Sequence, residues 1–421
     1  MGLVGESNLA IVMTLISILG KPIGFGIEAS AGSGKSVMMN ICYGLPGKDD
    51  GLIDQRHIYF KDGGSATSMA YDFEKINRAK ILVLSELQKD QSHNSIETIK
   101  SLTEGKSANY RVTDVTKKEV VEKNIEPLTV IYSLATENET KPDTELKRRF
   151  ITMSTDISQE QTNRVVVEKA KTRWDRESFK VLNKETLTEI KRHINKLIPF
   201  TPTIVNPYAE GYSHIIAKFA PDQKVRSMSE HFWDLVEAIT KFNLGNNIQV
   251  GAVLVSNIQD LLMALDIYKH AFIRDVYGVP PIGDSVLEAF TNAPMIVAPV
   301  KSTVTAFLKE NNTGGDIWLS INDIKRIIKD TRNIVLSTRV VFNICKQLVD
   351  AGYLEDSREG SSIKYKVIDD IKELQDPNIS ALIKDAGEKV LAKYPDRYEE
   401  WLALQLKGYV HPVTGEQIKW K

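Results

Sequence analysis

The stretch GFGIEASAGSGKSVMMN, residues Gly24 to Asn40, decides the fold of this chain. A short apolar segment runs into a Gly/Ser-rich turn, which ends in Gly-Lys-Ser and continues as a helix-like pattern. Strand, turn and helix in this order are the context of the phosphate-binding loop, G-x-x-x-x-G-K-[ST]. Ala29 stands at the position of the first glycine, at the edge of the loop. Alanine costs little there if its φ stays negative, so we expect a functional loop.

The residue types in this loop suit a nucleoside triphosphate. Backbone N–H groups have to close around phosphate oxygens, which favours glycine at positions 32 and 34. Lys35 would reach the β- and γ-phosphates, and Ser36 would hold Mg²⁺. The dipole of the following helix would point at the same phosphates. The predicted nucleotide-binding residues are Ala31, Gly32, Ser33, Gly34, Lys35, Ser36 and Val37.

Two apolar strand-like stretches end in polar residues that suit hydrolysis. KILVLSE ends in Glu86, which we expect to activate the attacking water and to share the metal's outer shell. The preceding position, often Asp in such sites, is Ser85, which brings no charge. LTVIYSLA is followed by Thr136 and Asn138, either of which would position the water beside the γ-phosphate. An ordinary polar turn explains either of these two residues equally well.

Two arginines, Arg148 and Arg149, precede the strand-like stretch that begins at Phe150. An arginine at a subunit edge can reach the γ-phosphate of a neighbouring subunit, which makes hydrolysis depend on assembly. We therefore include both arginines among the catalytic candidates. The alternative is a solvated basic turn, which is common for Lys-Arg-Arg.

Composition and patterning predict an α/β protein of several domains. The chain has 421 residues, 42% of them hydrophobic, and a net charge of −1, so a nucleic-acid surface has to be a local patch. Two cysteines give no disulfide framework, and the apolar stretch Leu9–Gly20 is too short to span a bilayer, which suits a cytoplasmic protein. Strands alternate with helices up to residue 155, which predicts a parallel sheet. The following segment is helical in pattern, with Ser229 and Ser256 as candidate N-caps.

Three helical patterns and a two-strand hairpin between about 300 and 368 predict a winged-helix unit. We place domain limits at 1–156 for the nucleotide-binding core, 157–298 for a helical lid, 299–370 for the winged helix and 371–421 for a helical tail. The winged helix is a candidate DNA contact through Arg339 and Lys346. Such units also dock proteins, and several nearby carboxylates dilute the positive charge.

The order of these motifs resembles that of the AAA+ P-loop ATPases. Within them, residues 2–215 resemble superfamily 3 helicases and the helicase-like modules of phage, plasmid and viral primases. The landmarks are GLVGESN, GFGIEASAGSGKS, AKILVLSEL, IETIKSLTEGK, ELKRRF, STDISQEQTNRVV and NPYAEGY, in this order. Many relatives carry a primase domain upstream, so we expect a stand-alone helicase or one module of a longer protein.

The resemblance implies a basic hairpin that contacts DNA in the channel of a ring. SANYRVTDVTKKEVVEKNIEPL has two alternating stretches about TKKE, with Lys117 and Lys118 at the tip. Lysines there would grip phosphates rather than bases. Without the ATPase context, a solvated hairpin turn would be the better explanation.

We therefore expect an ATPase that uses ATP and Mg²⁺ and drives DNA translocation or unwinding. It would work as a homo-oligomeric ring, a hexamer, with a primase or polymerase as a further partner. The alternative is a slow or inactive AAA+ switch, or a replication initiator that assembles on DNA without unwinding it. Ser85 and Ala29 favour this alternative somewhat. A small-molecule kinase is disfavoured, because such kinases rarely have both a basic hairpin and a terminal winged helix.

Overall fold

The structure, a computed structural model, describes most of the chain. The described residues are 6–29, 32–61, 66–85, 87, 93–114, 119–135, 149–155, 159–174, 184–218, 224–277, 286, 289–290, 317–332, 335–350, 354–359, 362–367, 377–405, 409–410 and 417–418. They form a mixed α/β fold.

A parallel five-stranded sheet forms the centre of the first part of the chain. Its strands, in spatial order, are β2 (Ile58–Lys61), β3 (Ile81–Leu84), β6 (Thr129–Ala135), β1 (Gly24–Ala29) and β7 (Phe150–Met153). A separate antiparallel hairpin, β4 (Ala108–Asp114) and β5 (Glu119–Ile125), lies between β3 and β6 in sequence. The predicted parallel sheet is confirmed, and β2 is an edge strand that the sequence pattern did not reveal.

Helices cover both faces of the sheet because side chains alternate along each strand. Phe25 and Ile27 pack on the face covered by α1 (Ser7–Leu19) and α2 (Lys35–Tyr43). Leu82 and Tyr132 pack on the opposite face. That face is covered by α3 (Ala66–Tyr71), α4 (Phe73–Arg78) and α5 (His93–Thr103). The apolar stretch near the N-terminus is thus the buried helix α1, as predicted, with ten of its 13 residues buried.

The part from 159 to 277 is helical, as predicted, but it also contains a small sheet. Its helices are α6 (Gln159–Trp174), α7 (Lys184–Leu197), α8 (Ala209–Lys218), α9 (Lys224–Phe242) and α10 (Ile258–Tyr277). The sheet consists of β8 (Thr203–Val205), β9 (Ile248–Val250) and β10 (Val253–Val255). Its strands have only three residues each, too few for an alternation pattern to show in the sequence.

Both predicted N-caps in this part are wrong. Ser229 lies inside α9, which begins at Lys224. α10 is capped by Asn257, whose Oδ1 accepts from the backbone N–H of Gln259 at 2.7 Å. The hydroxyl of Ser256 is instead hydrogen-bonded to Thr240 Oγ1 at 2.7 Å. A tertiary contact has therefore taken the side chain that local pattern assigned to the cap.

The next unit combines two helices with a three-stranded antiparallel sheet. Its elements are β11 (Leu319–Ser320), α11 (Ile321–Arg332), α12 (Thr338–Asp350), β12 (Leu354–Glu359) and β13 (Ser362–Val367). β13 pairs with both β11 and β12. The predicted two-strand hairpin is confirmed as β12 and β13, and the first of the three predicted helices lies outside the described residues.

The two helices near the C-terminus pack onto the part that contains α8–α10. Helices α13 (Ile379–Lys393) and α14 (Tyr398–Gln405) lie within the predicted helical segment, and β14 (Tyr409–Val410) pairs with β15 (Gln417–Ile418). Trp401 is fully buried, and its Nε1 donates to Ser256 O at 3.1 Å. Gln405 Oε1 accepts from Tyr208 Oη at 2.5 Å and from the backbone N–H of Ile258 at 2.8 Å. The C-terminal helices therefore close one side of this unit.

The predicted domain limits fall between described segments of the chain. Positions 156, 298 and 370 all lie outside the described residues. Buried apolar residues from α1, the central sheet, α7–α12 and the C-terminal helices join in one continuous cluster. Within the described parts of the chain, we find no helix whose length and apolar character would let it cross a bilayer.

Candidate functional site

The turn between β1 and α2 depends on two glycines in left-handed conformation. Gly32 has φ 76° and Gly34 has φ 95°, and Gly34 is also the N-cap of α2. Non-glycine side chains rarely adopt such angles. A Cβ at either glycine would meet no atom of the described residues within 4 Å. The backbone angle therefore requires glycine here, and the described residues leave the space beside both glycines open.

The side chains of the loop offer one cation and two hydroxyl groups. Lys35 Nζ donates to Ala29 O at 2.6 Å, which places its ammonium group across the turn. Ser33 Oγ is buried and has no hydrogen-bond partner among the described residues. Ser36 and Val37 are exposed in the first turn of α2. A buried hydroxyl without a partner is unusual in a folded protein and suits a bound acceptor such as a phosphate oxygen.

Ala29 occupies the last position of β1 and causes no strain. It pairs with Ala135 of β6, so its backbone is extended. Extended backbone suits alanine as well as glycine. The condition set out above for this departure from the loop pattern, a negative φ, is therefore satisfied. Ser30 and Ala31, the two residues that follow, lie outside the described residues.

The strands that carry the predicted catalytic residues end at the same edge of the sheet as the loop. β6 ends at Ala135 beside Ala29, so the chain leaves β6 next to the loop. β3 ends at Leu84 beside Tyr132, and Ser133 Oγ donates to Ser85 O one position further on. Ser85 is exposed at this edge. The residues that follow, Glu86, Thr136 and Asn138, lie outside the described residues.

The rings of Phe150 and Tyr132 pack against β1 at its two glycines, a contact that the sequence analysis did not predict. Cβ atoms at Gly24 and Gly26 would lie 2.3 Å from ring carbons of Phe150 and Tyr132 respectively. The two rings meet edge to face, with centroids 4.9 Å apart. Tyr132 Oη donates to Glu28 Oε1 at 2.9 Å, directly before Ala29. Glycines inside a strand are the sequence signal for such a close approach.

Arg149 lies at the amino-terminal end of the parallel strands, whereas the loop lies at their carboxyl end. Phe150, the next residue, pairs with Gly24 at the start of β1, whereas the loop follows Ala29 at its end. Five residues of strand separate these levels, roughly 17 Å at 3.3 Å per residue. The guanidinium of Arg149 forms an ion pair with Glu104. Arg149 is thus not positioned to contact a ligand in its own loop, and Arg148 lies outside the described residues.

The predicted hairpin is present as β4 and β5, and its tip lies outside the described residues. β4 and β5 pair from Ala108 with Ile125 to Asp114 with Glu119. Lys117 and Lys118 follow in the stretch 115–118, outside the described residues. Nearer its base, Lys123 Nζ lies 4.9 Å from the centroid of the Phe73 ring, a cation–π contact that holds the hairpin against α4.

Helix α12 exposes a face that is richer in polar groups than the sequence analysis recognised. Arg339 and Lys346, the two predicted DNA contacts, are exposed. Asn343 and Gln347 are exposed on the same face, at spacings of four and eight from Arg339. The opposite face is buried, through Val341, Ile344, Cys345 and Leu348. The helical spacing of the four polar residues was the available signal.

The segment leading into β1 is held by charged side chains of α9. Lys21 forms ion pairs with Asp234, at 3.3 Å, and with Glu237. Burial raises the pKa of Asp234 to about 6, although Lys21 opposes this shift. The side chain of Lys241 is fully buried, and its Nζ donates to Ile18 O at 2.5 Å and to Leu19 O at 3.2 Å, both at the end of α1. Burial lowers the pKa of Lys241 to about 8. Helix α9 therefore contacts the end of α1 and the segment that leads into β1.

Clusters of three or more His, Cys, Asp or Glu side chains that could hold a metal ion are not found among the described residues, which do not include Glu86. A metal at the loop would thus depend on Ser36 together with groups outside this set. No protein-family model matches the chain, and no curated protein is similar enough to count as a relative.

Proposed function

We propose that this protein is a P-loop ATPase of the AAA+ type. The observation that carries the proposal is the turn from β1 to α2, with Gly32 and Gly34 left-handed beside open space. Backbone N–H groups of residues 31–34 would bind the β- and γ-phosphates of ATP, together with Lys35. Ser36 would bind Mg²⁺ directly, and Glu86 would contact a water molecule bound to that Mg²⁺. The metal ion would neutralise charge on the phosphates. The buried Ser33 hydroxyl, for which the described residues offer no hydrogen-bond partner, supports the fit of an anionic ligand.

The strand order supports the same site. β1 connects towards β2 at one side of the sheet, while β6, its immediate neighbour, connects towards β7 at the other side. Ligands of open parallel sheets bind outside the carboxyl ends of strands at such a reversal. Position 86 follows β3, with β6 lying between β3 and β1. Glu86 would then act as the base for water, and Thr136 or Asn138 would orient that water.

We further propose that the ATPase works as a homo-oligomeric ring, a hexamer, that moves DNA. The support is the position of Arg149 at the sheet edge away from its own loop, which suits a role in a neighbouring subunit's site. Lys117 and Lys118 would contact the DNA backbone from the tip of the β4–β5 hairpin. The unit from β11 to β13 resembles a winged helix, with α12 presenting Arg339 and Lys346 to duplex DNA.

ATP turnover stimulated by single-stranded DNA tests this proposal. Lys35→Ala and Glu86→Gln should each abolish turnover, while Lys48→Ala, an exposed lysine just after α2, should leave it unchanged. Particle size should increase to that of a ring when a non-hydrolysable ATP analogue is added. Turnover that survives Lys35→Ala, or an absence of turnover in the wild type, would contradict the proposal.

A second candidate is a nucleotide-dependent switch or initiator that assembles on DNA without unwinding it. One observation favours it: Ser85 offers a neutral side chain where many ATPases have a metal-supporting carboxylate. Tight ATP binding with ring assembly but without turnover would select this candidate.

A further inference from the structure

Glu104 joins two cations at the sheet edge where Arg149 lies. Its Oε1 pairs with Nη1 of Arg149, and its Oε2 lies 3.0 Å from Nζ of Lys106. The side chain of Arg149 is 21% exposed and that of Glu104 is 34% exposed, so both are shielded in part from solvent. A carboxylate in contact with a guanidinium restricts the plane and direction of the fork more than it restricts a lysine ammonium.

The backbone of Glu104 is fixed by the end of α5. Its N–H donates to Lys100 O at 3.0 Å, and the N–H of Lys106 donates to Ser101 O at 2.9 Å. Gly105 between them has φ 74°, the left-handed angle that commonly ends a helix. A Cβ at Gly105 would contact Pro22, which precedes β1. The carboxylate therefore projects from a rigid point close to the start of β1.

Helix α5 links this point to the catalytic edge of the same subunit. The chain leaves β3 at the edge of the loop, passes position 86, forms α5 and reaches Glu104 at the other edge. The 11 residues of α5 span roughly 16 Å at 1.5 Å per residue. The chain then continues directly into the β4–β5 hairpin. Glu104 thus lies between the strand of the proposed base, the proposed DNA hairpin and Arg149.

We propose that Glu104 is a positioning residue for Arg149, holding its guanidinium in the direction in which it contacts a nucleotide bound to a second copy of this chain. The inference rests on the proposed ATPase function. It adds a route by which movement of the hairpin or of α5 in one subunit changes the geometry of the arginine that serves the next. A partly exposed ion pair contributes only about 0–1 kcal/mol to stability, so substitutions at Glu104 leave the fold intact.

Steady-state kinetics of DNA-stimulated ATP turnover test the role. Glu104→Gln keeps the shape and removes the charge, and it should lower kcat by about tenfold to a hundredfold while KM for ATP and the thermal midpoint stay unchanged. Glu104→Asp should restore part of the loss. Glu168→Gln is the matched control, because the side chain of Glu168 is also 34% exposed and its Oε2 forms an ion pair with Lys171 Nζ on α6 at 3.2 Å. It should leave kcat unchanged.

Two further measurements separate positioning from a structural role. Glu104→Gln should add nothing to Arg149→Ala, because it acts through that arginine. Mixing equal amounts of Glu104→Gln and Lys35→Ala subunits should restore part of the turnover. In a ring of random composition, about a quarter of the subunit contacts join an intact loop of one subunit to an intact Glu104–Arg149 pair of its neighbour.

The outcomes distinguish the two proposals. If Arg149→Ala abolishes turnover but Glu104→Gln stays within twofold of the wild type, or exceeds it, the positioning role is overturned and the ATPase stands. If mixing restores nothing, Glu104 acts within its own subunit and the inference is also overturned. Absence of turnover in the wild type overturns the ATPase proposal and this inference with it.

Discussion

The ring of Tyr132 fills the space that any side chain at Gly26 would need, since a Cβ there would lie 2.3 Å from Tyr132 Cζ. Both residues lie in the middle of the sheet, where neither backbone can shift without breaking strand pairing. We therefore expect Gly26→Ala to lower the free energy of unfolding by about 1–3 kcal/mol or more, the usual range for overpacking a core. Urea unfolding followed by circular dichroism measures this loss.

Gly245→Ala is the matched control for that experiment. A Cβ at Gly245 would meet nothing within 4 Å, and its φ is not in the left-handed region. Its urea midpoint should equal or exceed that of the wild type. Equal losses at the two positions would show that the aromatic ring does not decide the residue at position 26.

Ser85 is the position at which we expect a substitution to improve the proposed metal site. Ser85 is exposed at the loop edge of the sheet and brings no charge. Ser85→Asp would add a carboxylate where many ATPases support Mg²⁺, so half-maximal turnover should require about tenfold less Mg²⁺. Magnesium titration of ATP turnover measures the shift.

Ala29→Gly is the companion variant, because it restores the loop pattern without touching the metal. Since Ala29 is extended and unstrained, turnover should stay within about twofold of the wild type. A large gain from Ala29→Gly and none from Ser85→Asp would mean that the anomaly lies in the loop after all.

Asp260 should make stability depend on pH. Burial raises its pKa from 3.8 to about 6, although donors such as Asn243 and Thr240 oppose the shift. The folded state therefore binds more protons than the unfolded state between about pH 4 and 6, so the free energy of unfolding falls as pH rises through that window. A shift of this size corresponds to about 2–3 kcal/mol, present below pH 4 and lost above pH 6.

Asp260→Asn removes this titration, so its unfolding free energy should vary less with pH than that of the wild type. Urea unfolding at pH 4, 5, 6 and 7 gives both profiles. Asp234 has a pKa raised to about 6 and contributes a dependence of the same sign to both proteins. Only the difference between the profiles reports on Asp260, and parallel profiles would contradict the prediction.

The sequence predicted the central sheet better than the contacts around it. Four of its five strands are mostly apolar and almost completely buried, a strong local signal, whereas three of the four residues of β2 are only half-buried and its sequence, IYFK, ends in a lysine. The loop could be predicted because its turn needs left-handed backbone angles at positions 32 and 34, which glycine adopts readily. This need depends on few distant residues. These features follow from local physical chemistry.

Features that depend on distant residues could not be predicted. Ser256 and Asn257 have similar capping ability, and their tertiary contacts differ: Ser256 bonds to Thr240, whereas Asn257 Nδ2 donates to Asn247 Oδ1. Docking of the C-terminal helices depends on Gln405 meeting Tyr208, almost two hundred residues away. Glu104, likewise, has an ordinary helix-end sequence, and its contact with Arg149 follows from the position of β7 beside β1.

The exposed face of α12 should distinguish base contacts from phosphate contacts. Asn and Gln can form paired hydrogen bonds with adenine, whereas Lys mainly neutralises phosphate. The first step is to select, from random duplexes, a sequence that the wild-type protein binds. Asn343→Ala or Gln347→Ala should weaken binding to this sequence by about 1–3 kcal/mol and leave binding to other duplexes unchanged. Lys346→Ala should weaken binding to all duplexes and lower the salt slope by about 1. Asn322→Ala, an exposed asparagine on α11, is the control, and equal losses for it or failure to select any sequence would contradict base contact by α12.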